Sequence, residues 1–147
     1  KGDVPDETYT VPIGKAEVKR EGTDVTVISY GLTLHFALQA AEKLETEGIS
    51  THVLDLRTIR PLDKQAIVEA AQKTGKVLII HEDNKTGGVG GEVSAMIAEE
   101  ALFDRDAPIK RLGGADIPGI PFSAPLEKAY MLNTDKVEQA IRDLAEF

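Results

Sequence analysis

Cysteine is absent from this 147-residue sequence, and its absence removes several kinds of chemistry at once. Disulfide bonds, thiolate metal sites and cysteine nucleophiles are all excluded. Long hydrophobic runs are missing as well, since the apolar stretches fall far short of the roughly 20 residues that a membrane helix requires. No secretory signal peptide is visible. The sequence therefore predicts neither a disulfide framework nor a membrane span.

Basic residues are in the minority. The chain has 25 Asp and Glu against 17 Lys and Arg, a formal net charge of −8. Nucleic-acid binding depends on clustered cations, so this balance argues against a nucleic-acid partner and against an anionic membrane surface. An acidic surface favours solubility and suits a basic protein partner. The 41% hydrophobic and 29% charged residues are typical of a soluble globular protein.

The chain divides into a short arm and one domain. Residues 1–14 contain two prolines and two glycines without hydrophobic periodicity, which predicts an arm or linker. Residues 15–147 have the length of a single domain. Because the sequence begins at Lys1 without Met, we expect an excised piece whose arm joins a preceding N-terminal domain.

Hydrophobic periodicity predicts strands that alternate with helices. The predicted strands are Lys15–Arg20, Asp24–Tyr30, 51–56, 76–80 and Ile109–Leu112. The predicted helices are Thr33–Glu47 capped by Thr33, Asp63 to about Lys73 capped by Asp63, Val89–Leu102, and about Asp135 to the end with Glu138 in a capping box. Residues 113–125 read as a long loop. This order predicts a mostly parallel sheet between two helical layers, an α/β/α sandwich.

A glycine cluster, Gly87, Gly88, Gly90 and Gly91, separates the strand at 76–80 from the next helix. The dinucleotide fingerprint G-x-G-x-x-G fails here, because Val93 stands where the third glycine belongs. A phosphate-binding Walker motif is absent too. A structural turn capped by its own acid, Glu82 or Glu92, is the favoured interpretation, and a dinucleotide site is the alternative.

Candidate catalytic residues are sparse. The three histidines, His35, His52 and His81, lie on three different elements without metal-ligand spacing. His81 and Glu82 follow a strand at the end where α/β sheets bind ligands, so a general base there is one hypothesis and a surface or interface residue the other. No serine lies in a G-x-S-x-G elbow. The residues alone predict an acidic α/β/α domain without a complete catalytic set.

Four motifs together resemble one family. They are DLRTIRPLD (55–63), HEDNKTGGVGGEV (81–93), DAPIKRLGGADIPGIPF (106–122) and a final helix ending in Phe147. They are similar to the C-terminal domain of the beta subunit of thiamine-diphosphate-dependent 2-oxo acid dehydrogenases. The stretches HFALQAAEKL (35–44) and IHEDNKTGG (80–88) look most like the branched-chain, 2-oxoisovalerate type. Pyruvate and acetoin dehydrogenases rank second.

The resemblance implies a transketolase C-terminal-like fold, with a five-stranded, mostly parallel sheet that has one antiparallel strand. It also implies a whole enzyme that decarboxylates 2-oxo acids on thiamine diphosphate and acylates lipoyl groups. In this family the alpha subunit holds the diphosphate and magnesium, and the beta N-terminal domain supplies a glutamate to the cofactor. The resemblance therefore places no catalytic, cofactor-binding or metal-binding residue in this chain.

What the resemblance leaves to this domain is assembly. It implies contacts with the alpha subunit and a second beta subunit in an alpha-2/beta-2 tetramer, and with the small basic subunit-binding domain of a dihydrolipoyl acyltransferase. We predict an interface role for His81, Glu82, Gly87, Gly88, Gly90, Gly91 and Phe147. The glycines would admit the backbone of a neighbouring domain or subunit, and the carboxylate of Phe147 would meet the basic domain. The expected compartment is the bacterial cytoplasm, or the mitochondrial matrix in a eukaryote.

Two rivals from other classes stay open at this point. One is a free-standing nucleotide-binding α/β domain that uses the glycine loop. The other is an interaction module with no enzymatic parent.

Overall fold

The computed structural model describes residues 4–147. The strands are β1 (Glu17–Arg20), β2 (Val25–Ser29), β3 (Thr51–Asp55), β4 (Val77–Asn84) and β5 (Lys110–Gly114). The helices are α1 (Leu32–Glu45), α2 (Lys64–Thr74), α3 (Val89–Glu100), α4 (Ala124–Tyr130) and α5 (Thr134–Ala145), with a short 3-10 helix at Leu102–Asp104.

The five strands form one sheet in the order β1-β3-β2-β4-β5. β1 pairs antiparallel with β3, and the other neighbours pair parallel. The predicted five-stranded sheet with one antiparallel strand is confirmed. All residues of β2 and β3 are buried, as expected for strands with helices over both faces.

Each face of the sheet has its own hydrophobic core. α1 and α5 pack on one face, where Leu44 and Ile141 meet strand residues such as Val27. α2 and α3 pack on the other face, where Ile67 and Ile97 lie in one cluster with neighbouring strand residues. The α/β/α layers predicted from the alternating pattern are therefore present. Within residues 4–147, none of the helices is long and apolar enough to cross a membrane.

The two ends of the sheet are defined by its parallel strands. The carboxyl end lies where β2, β3, β4 and β5 finish, and the amino end lies where they begin. β1 runs the other way, so residue 17 lies opposite Asp55 at the carboxyl end. Its pairing with β3 is irregular between Val18 and Arg20. Residues 4–13, most of the predicted arm, contain no helix or strand and are exposed. Residues 1–3 of the arm lie outside the described part.

Of the predicted helix caps, one is confirmed and two are wrong. Asp63 caps α2 as predicted, because its Oδ1 accepts a hydrogen bond from the Ala66 amide at 3.3 Å. The cap at Thr33 is wrong: Thr33 lies inside α1, and its hydroxyl donates to the Tyr30 carbonyl. The start at Asp135 and the capping box with Glu138 are wrong as well. Asn133 caps α5 by accepting from the Lys136 amide at 2.9 Å.

Candidate functional site: the carboxyl end of the sheet

The carboxyl end of the sheet gathers the residues that the sequence singled out for chemistry. Ser29 ends β2, Asp55 ends β3, and His81 lies in the last half of β4. Open α/β sheets bind ligands at this end, because the loops that follow the strands converge there. We therefore describe this end residue by residue before asking what it can do.

His81 lies beneath the surface and not on it. The side chain was expected at a surface or an interface, but the residue is only 1% exposed. Its Nδ1 lies 3.1 Å from the carbonyl of Asp83, which can only accept, so Nδ1 carries the proton. Burial lowers the pKa of His81, and the nearby Asp83 opposes that shift only in part. The ring is a neutral part of the domain interior. The general-base and interface roles predicted for His81 stay predictions.

Three glycines make room for the His81 ring. A Cβ atom added at Gly88 would lie 2.6 Å from Cε1 of the ring, and one added at Gly90 would lie 2.6 Å from Nε2. At Gly113 on β5 the corresponding distance to Cε1 is 3.1 Å. Both glycines are thus needed to enclose a ring of the same domain. The interface role predicted for Gly88 and Gly90 stays a prediction.

The other two glycines of the cluster differ from this pair. Gly87 has φ +79°, a left-handed conformation that favours glycine, and open space around its Cβ position. A Cβ at Gly91 would meet only Arg111 at an ordinary 3.6 Å. The interface role predicted for Gly87 and Gly91, and for exposed Glu82, stays a prediction.

The turn between β4 and α3 is structural, as favoured, but no acid caps it. Gly88 is the N-cap residue of α3 and no side chain bonds to the helix start. The expected capping by Glu82 or Glu92 is therefore wrong. Val93, which blocks the dinucleotide fingerprint, is fully buried in the core beneath α3. A hydrophobic side chain fills the place that a third glycine would leave open.

The loop of residues 82–91 is tied to β5 and to the segment after it. The Lys85 amide donates to the Gly114 carbonyl at 2.9 Å, and Nη1 of Arg111 donates to the Lys85 carbonyl at 3.2 Å. The Thr86 hydroxyl donates to Asp116 at 2.5 Å. With His81 below and β5 beside it, the loop is held in one position.

The electrostatic character at this end is negative. Burial raises the pKa of the half-buried Tyr30, and Asp83 and Glu82 raise it further. Ser29 shares a hydrogen bond of 2.9 Å with Thr33 instead of a histidine. Among the described residues, no three His, Cys, Asp or Glu side chains come together in a way that could hold a metal ion. No nucleophile is paired with a base at this end of the sheet within residues 4–147.

An apolar groove opens at the same end, and the sequence pattern did not predict it. We call it the Pro61 groove; it has a volume of about 790 Å³ and is lined by Ile59, Arg60, Pro61, Leu62, Val89, Glu92 and Met96. It lies between the loop after β3 and the first turns of α3. That loop starts at Arg57, a non-glycine residue with φ 56°. Backbone strain of this kind occurs at functional sites.

Phe147, the last predicted interface residue, lies at the opposite end of the sheet. Its side chain is 72% exposed and lines a shallow depression with Arg105, Asp106, Ala107 and Pro108. Nζ of Lys76, just before β4, donates to the Ala145 carbonyl at 3.0 Å and fixes this end of α5. The predicted interface residues therefore form two separate groups, one at each end of the sheet.

Comparison with known proteins agrees with this geometry. Residues 14–137 match the family described as "Transketolase, C-terminal domain". The chain belongs to this family. Among transketolase C-terminal domains of known structure, it superimposes on "Split gene transketolase, inactive beta4 tetramer" with a TM-score of 0.82 and 31% identity, over 94% of this chain and 44% of that one.

Two curated relatives from Bacillus subtilis (strain 168) bear out the family branch. The chain is 64% identical over 147 residues to "2-oxoisovalerate dehydrogenase subunit beta", covering all of this chain and 45% of the relative. It is 41% identical over 145 residues to "Pyruvate dehydrogenase E1 component subunit beta", covering 99% of this chain and 44% of the relative. The predicted resemblance to dehydrogenase beta subunits, nearest the 2-oxoisovalerate type, is confirmed. The chain spans less than half the length of these relatives.

Proposed function

We propose that this chain is the C-terminal domain of the beta subunit of the decarboxylase (E1) component of a 2-oxo acid dehydrogenase complex, acting on branched-chain 2-oxo acids. The observation that carries the proposal is the 64% identity to the 2-oxoisovalerate relative along the whole chain. The pyruvate relative reaches only 41% over nearly the same residues. The 2-oxoisovalerate relative is bacterial, which favours a cytoplasmic complex. A eukaryotic source would instead place the complex in the mitochondrial matrix.

The proposed enzyme uses thiamine diphosphate, which stabilises the carbanion left when a 2-oxo acid loses carbon dioxide. The carboxylates at the carboxyl end of the sheet do not suit the diphosphate. Carboxylates Glu82, Asp83 and Glu92 border the loop before α3, where they would repel a diphosphate. We therefore assign the cofactor to the alpha subunit and to the rest of the beta subunit.

Assembly is the role that this chain's surface supports. The rigid loop of residues 82–91 and the apolar Pro61 groove offer a fixed surface for the alpha subunit or for another part of the beta subunit. The amino end offers Phe147 beside Asp106 in a chain of net charge −8. Opposite charge would steer a small basic domain, such as the subunit-binding domain of an acyltransferase, to this end.

The catalytic part of the proposal is tested with the full-length gene expressed together with its alpha subunit. The assay follows reduction of an artificial electron acceptor that depends on the 2-oxo acid. We expect activity only with both subunits and thiamine diphosphate, and a larger kcat/KM for 3-methyl-2-oxobutanoate than for pyruvate. A preference for pyruvate would change the substrate class. Inactivity with every 2-oxo acid would refute the proposal.

The docking part is tested by titrating the assembled enzyme with the acyltransferase's subunit-binding domain. Raising the salt concentration should weaken binding, because exposed charges are screened. Deleting Phe147 should weaken it as well. Leu32→Ala, which trims an exposed apolar side chain at the other end of the sheet, is the control and should leave the affinity unchanged. Equal affinity in high salt and without Phe147 would rule out docking at this end.

A further inference from the structure

A cleft near the amino end of the sheet contains a buried histidine with an unpaired nitrogen. The cleft has a volume of about 190 Å³ and lies between β1, β3 and α2, where His52, Glu21, Glu69 and Lys73 line it together with apolar side chains. We call it the His52 cleft. His52 is only 2% exposed, and its Nδ1 has no hydrogen-bond partner among residues 4–147. Buried polar atoms are nearly always paired, so this nitrogen requires an explanation.

One carboxylate in the cleft lies between two groups that can carry positive charge. Glu21 belongs to the connector between β1 and β2, and its side chain is 72% exposed. Nζ of Lys73, in the last turn of α2, donates to Oε2 of Glu21. The same Oε2 lies 3.4 Å from Nδ1 of His52, close enough for an ion pair but without the geometry of a hydrogen bond. The bond from Lys73 holds the pKa of Glu21 below its ordinary value, so Glu21 is a carboxylate throughout the range in which histidine titrates.

Lys73 and His52 do not need this carboxylate equally. Burial lowers the pKa of His52, Lys73 lowers it further, and Glu21 opposes both, so the ring is neutral at pH 7. Once protonated, the buried ring needs a counter-ion, because water does not reach it. The side chain of Lys73 is 38% exposed, so water can hydrate its ammonium group. Below the pKa of His52, Glu21 therefore stabilises His52 more than it stabilises Lys73.

Glu69 is the other carboxylate of the cleft among residues 4–147. It lies on α2, and its Oε1 accepts from Nε2 of Gln65 at 2.8 Å. Glu69 precedes Lys73 by four residues, so a pair between these two would lie within the helix. Such a pair would leave α2 and the connector unlinked. Of the two carboxylates, Glu21 is the one that joins them.

We propose that Glu21 is a proton-controlled clasp, which holds the end of α2 through Lys73 while His52 is neutral and releases it to pair with His52 when that ring is protonated. The proposal concerns this domain alone and does not depend on the proposed function. The released part is the last turn of α2, where the Gly75 amide donates to the Ala71 carbonyl at 3.0 Å. The Thr74 hydroxyl still donates to Thr26 on β2 at 2.9 Å, so the turn loosens without leaving the sheet.

The test measures amide hydrogen exchange by mass spectrometry in the full-length protein, together with any subunit that co-purifies with it. Exchange reports local opening of a helix turn. It is followed from about pH 7.5 to about pH 5, a range that spans the unperturbed histidine pKa of about 6.5. Rates are corrected for the intrinsic effect of pH on exchange. Residues 70–75 are the reporter, and α5 is the reference, because it lies on the opposite face of the sheet.

In the wild type we expect exchange at 70–75 to become about two- to fivefold faster as the pH falls, the factor that corresponds to one exposed ion pair. Exchange in α5 should not change. Glu21→Gln and Lys73→Met each remove one half of the clasp and should give the fast rate at both pH values. His52→Gln keeps the clasp but cannot be protonated, so it should give the slow rate at both.

Three control variants separate the clasp from other effects. Lys64→Met removes an ion pair with Glu100 at the first turn of the same helix. His35→Gln changes an exposed histidine, and His81→Gln changes the other buried one. All three should keep the wild-type response of residues 70–75 to pH.

Three results would overturn the proposal. A response to pH that persists in His52→Gln would belong to another group. Slow exchange at neutral pH in both Glu21→Gln and Lys73→Met would show that their contact does not hold α2. An unchanged wild-type rate over the whole range would show that Glu21 stays with Lys73. Thermal unfolding at each pH identifies any variant that fails to fold; if His52→Gln does, the two exposed variants decide.

Discussion

The two ends of the sheet differ in what they leave uncovered. At the carboxyl end, the buried His81 and the glycines around it fix a loop, and the apolar Pro61 groove stays open next to it. At the amino end, Phe103 and Phe147 are exposed among acidic residues. Charged side chains there are partly paired within the domain: Lys110, the first residue of β5, contacts Asp143 at 2.6 Å.

Under the proposed function, this difference suits two kinds of partner. An apolar surface on a rigid support suits a permanent neighbour, because obligate interfaces are large and hydrophobic. Exposed aromatic rings among carboxylates suit a partner that arrives by charge and leaves again. Four predictions follow from this comparison. Three of them alter a single end, and the fourth, a change of pH, acts at both ends and is assigned to each by variants.

Replacing Gly88 by Val should have the largest effect. The new side chain would meet the Asn84 carbonyl and the His81 ring, so we expect a loss of about 3 kcal/mol in the free energy of unfolding, at the upper end of overpacking effects. Urea unfolding of the domain measures it. Gly91→Ala is the control and should be neutral or slightly stabilising, since its Cβ has room. An unchanged midpoint for Gly88→Val would show that His81 is not enclosed as described.

Removing the Asp63 carboxylate should have the second largest effect on the free energy of unfolding. Asp63 caps α2 and also accepts from the Ala16 amide, which fixes the arm at the carboxyl end. Asp63→Ala should therefore cost about 1–2 kcal/mol of unfolding free energy. Asn133→Ala removes a cap that serves α5 alone, so its cost should be smaller. Equal costs would mean that Asp63 does not hold the arm.

A smaller decrease in the free energy of unfolding is expected as the pH falls below neutral. Burial lowers the pKa of His81 and of His52 below the unfolded value of about 6.5. Above about pH 7 both states are neutral and stability is complete. As the pH falls through 6.5 the unfolded state takes up protons first, so the free energy of unfolding decreases until the folded pKa values are reached.

Variants of the two histidines assign this pH dependence to the two ends. His81→Gln should remove the contribution of the carboxyl end. His52→Gln should remove the contribution of the amino end, where Nδ1 of His52 lies 3.4 Å from Oε2 of Glu21. The control His35→Gln, at an exposed position, should leave the slope unchanged. A slope that survives the double variant His52→Gln and His81→Gln would contradict the assignment.

The smallest effect is expected for Arg142→Ala near the amino end. Arg142 donates to both carboxylate oxygens of Glu47, at 2.9 and 3.0 Å, and to Glu138 at 2.9 Å, and so links α5 to the end of α1. Exposed ion pairs contribute little and are screened by salt. We expect a slightly lower Tm at low salt and no difference at high salt. A loss that persists at high salt would indicate a packing role for the Arg142 side chain.

The sequence predicted the elements that carry strong hydrophobic patterns. The strands of the sheet and α1, α2, α3 and α5 were all foreseen. β2, β3, β4 and these four helices each bury apolar residues, whereas β1 buries none. α4 was missed, since this seven-residue helix buries no side chain and shows no apolar stripe. Its first two residues were taken as the end of the loop 113–125, and the others were assigned to no element. β4 extends to Asn84, beyond the predicted end, because Asn84 still pairs with Gly114.

The candidate site was harder to predict, because its contacts join residues distant in the chain. The sequence drew attention to the glycine cluster but not to the His81 ring that Gly88 and Gly90 enclose. Gly113, on β5, completes the enclosure. Nothing in the sequence around Gly113 indicated this role. Glu138 lay three residues beyond the predicted helix start, yet its carboxylate contacts Lys43 and Arg142 instead of the backbone. Tertiary partners decided these cases, and local spacing cannot reveal them.

The irregular outer strand β1 has a consequence for the behaviour of the domain at high concentration. An outer strand presents unpaired amides and carbonyls, which invite strand addition from another molecule. Here the pairing is irregular between Val18 and Arg20, and charged Glu17, Lys19 and Arg20 crowd the short strand. A second chain adding at this border would have to desolvate those charges and match a distorted ladder. We therefore expect β1 to protect the domain against fibril-like aggregation.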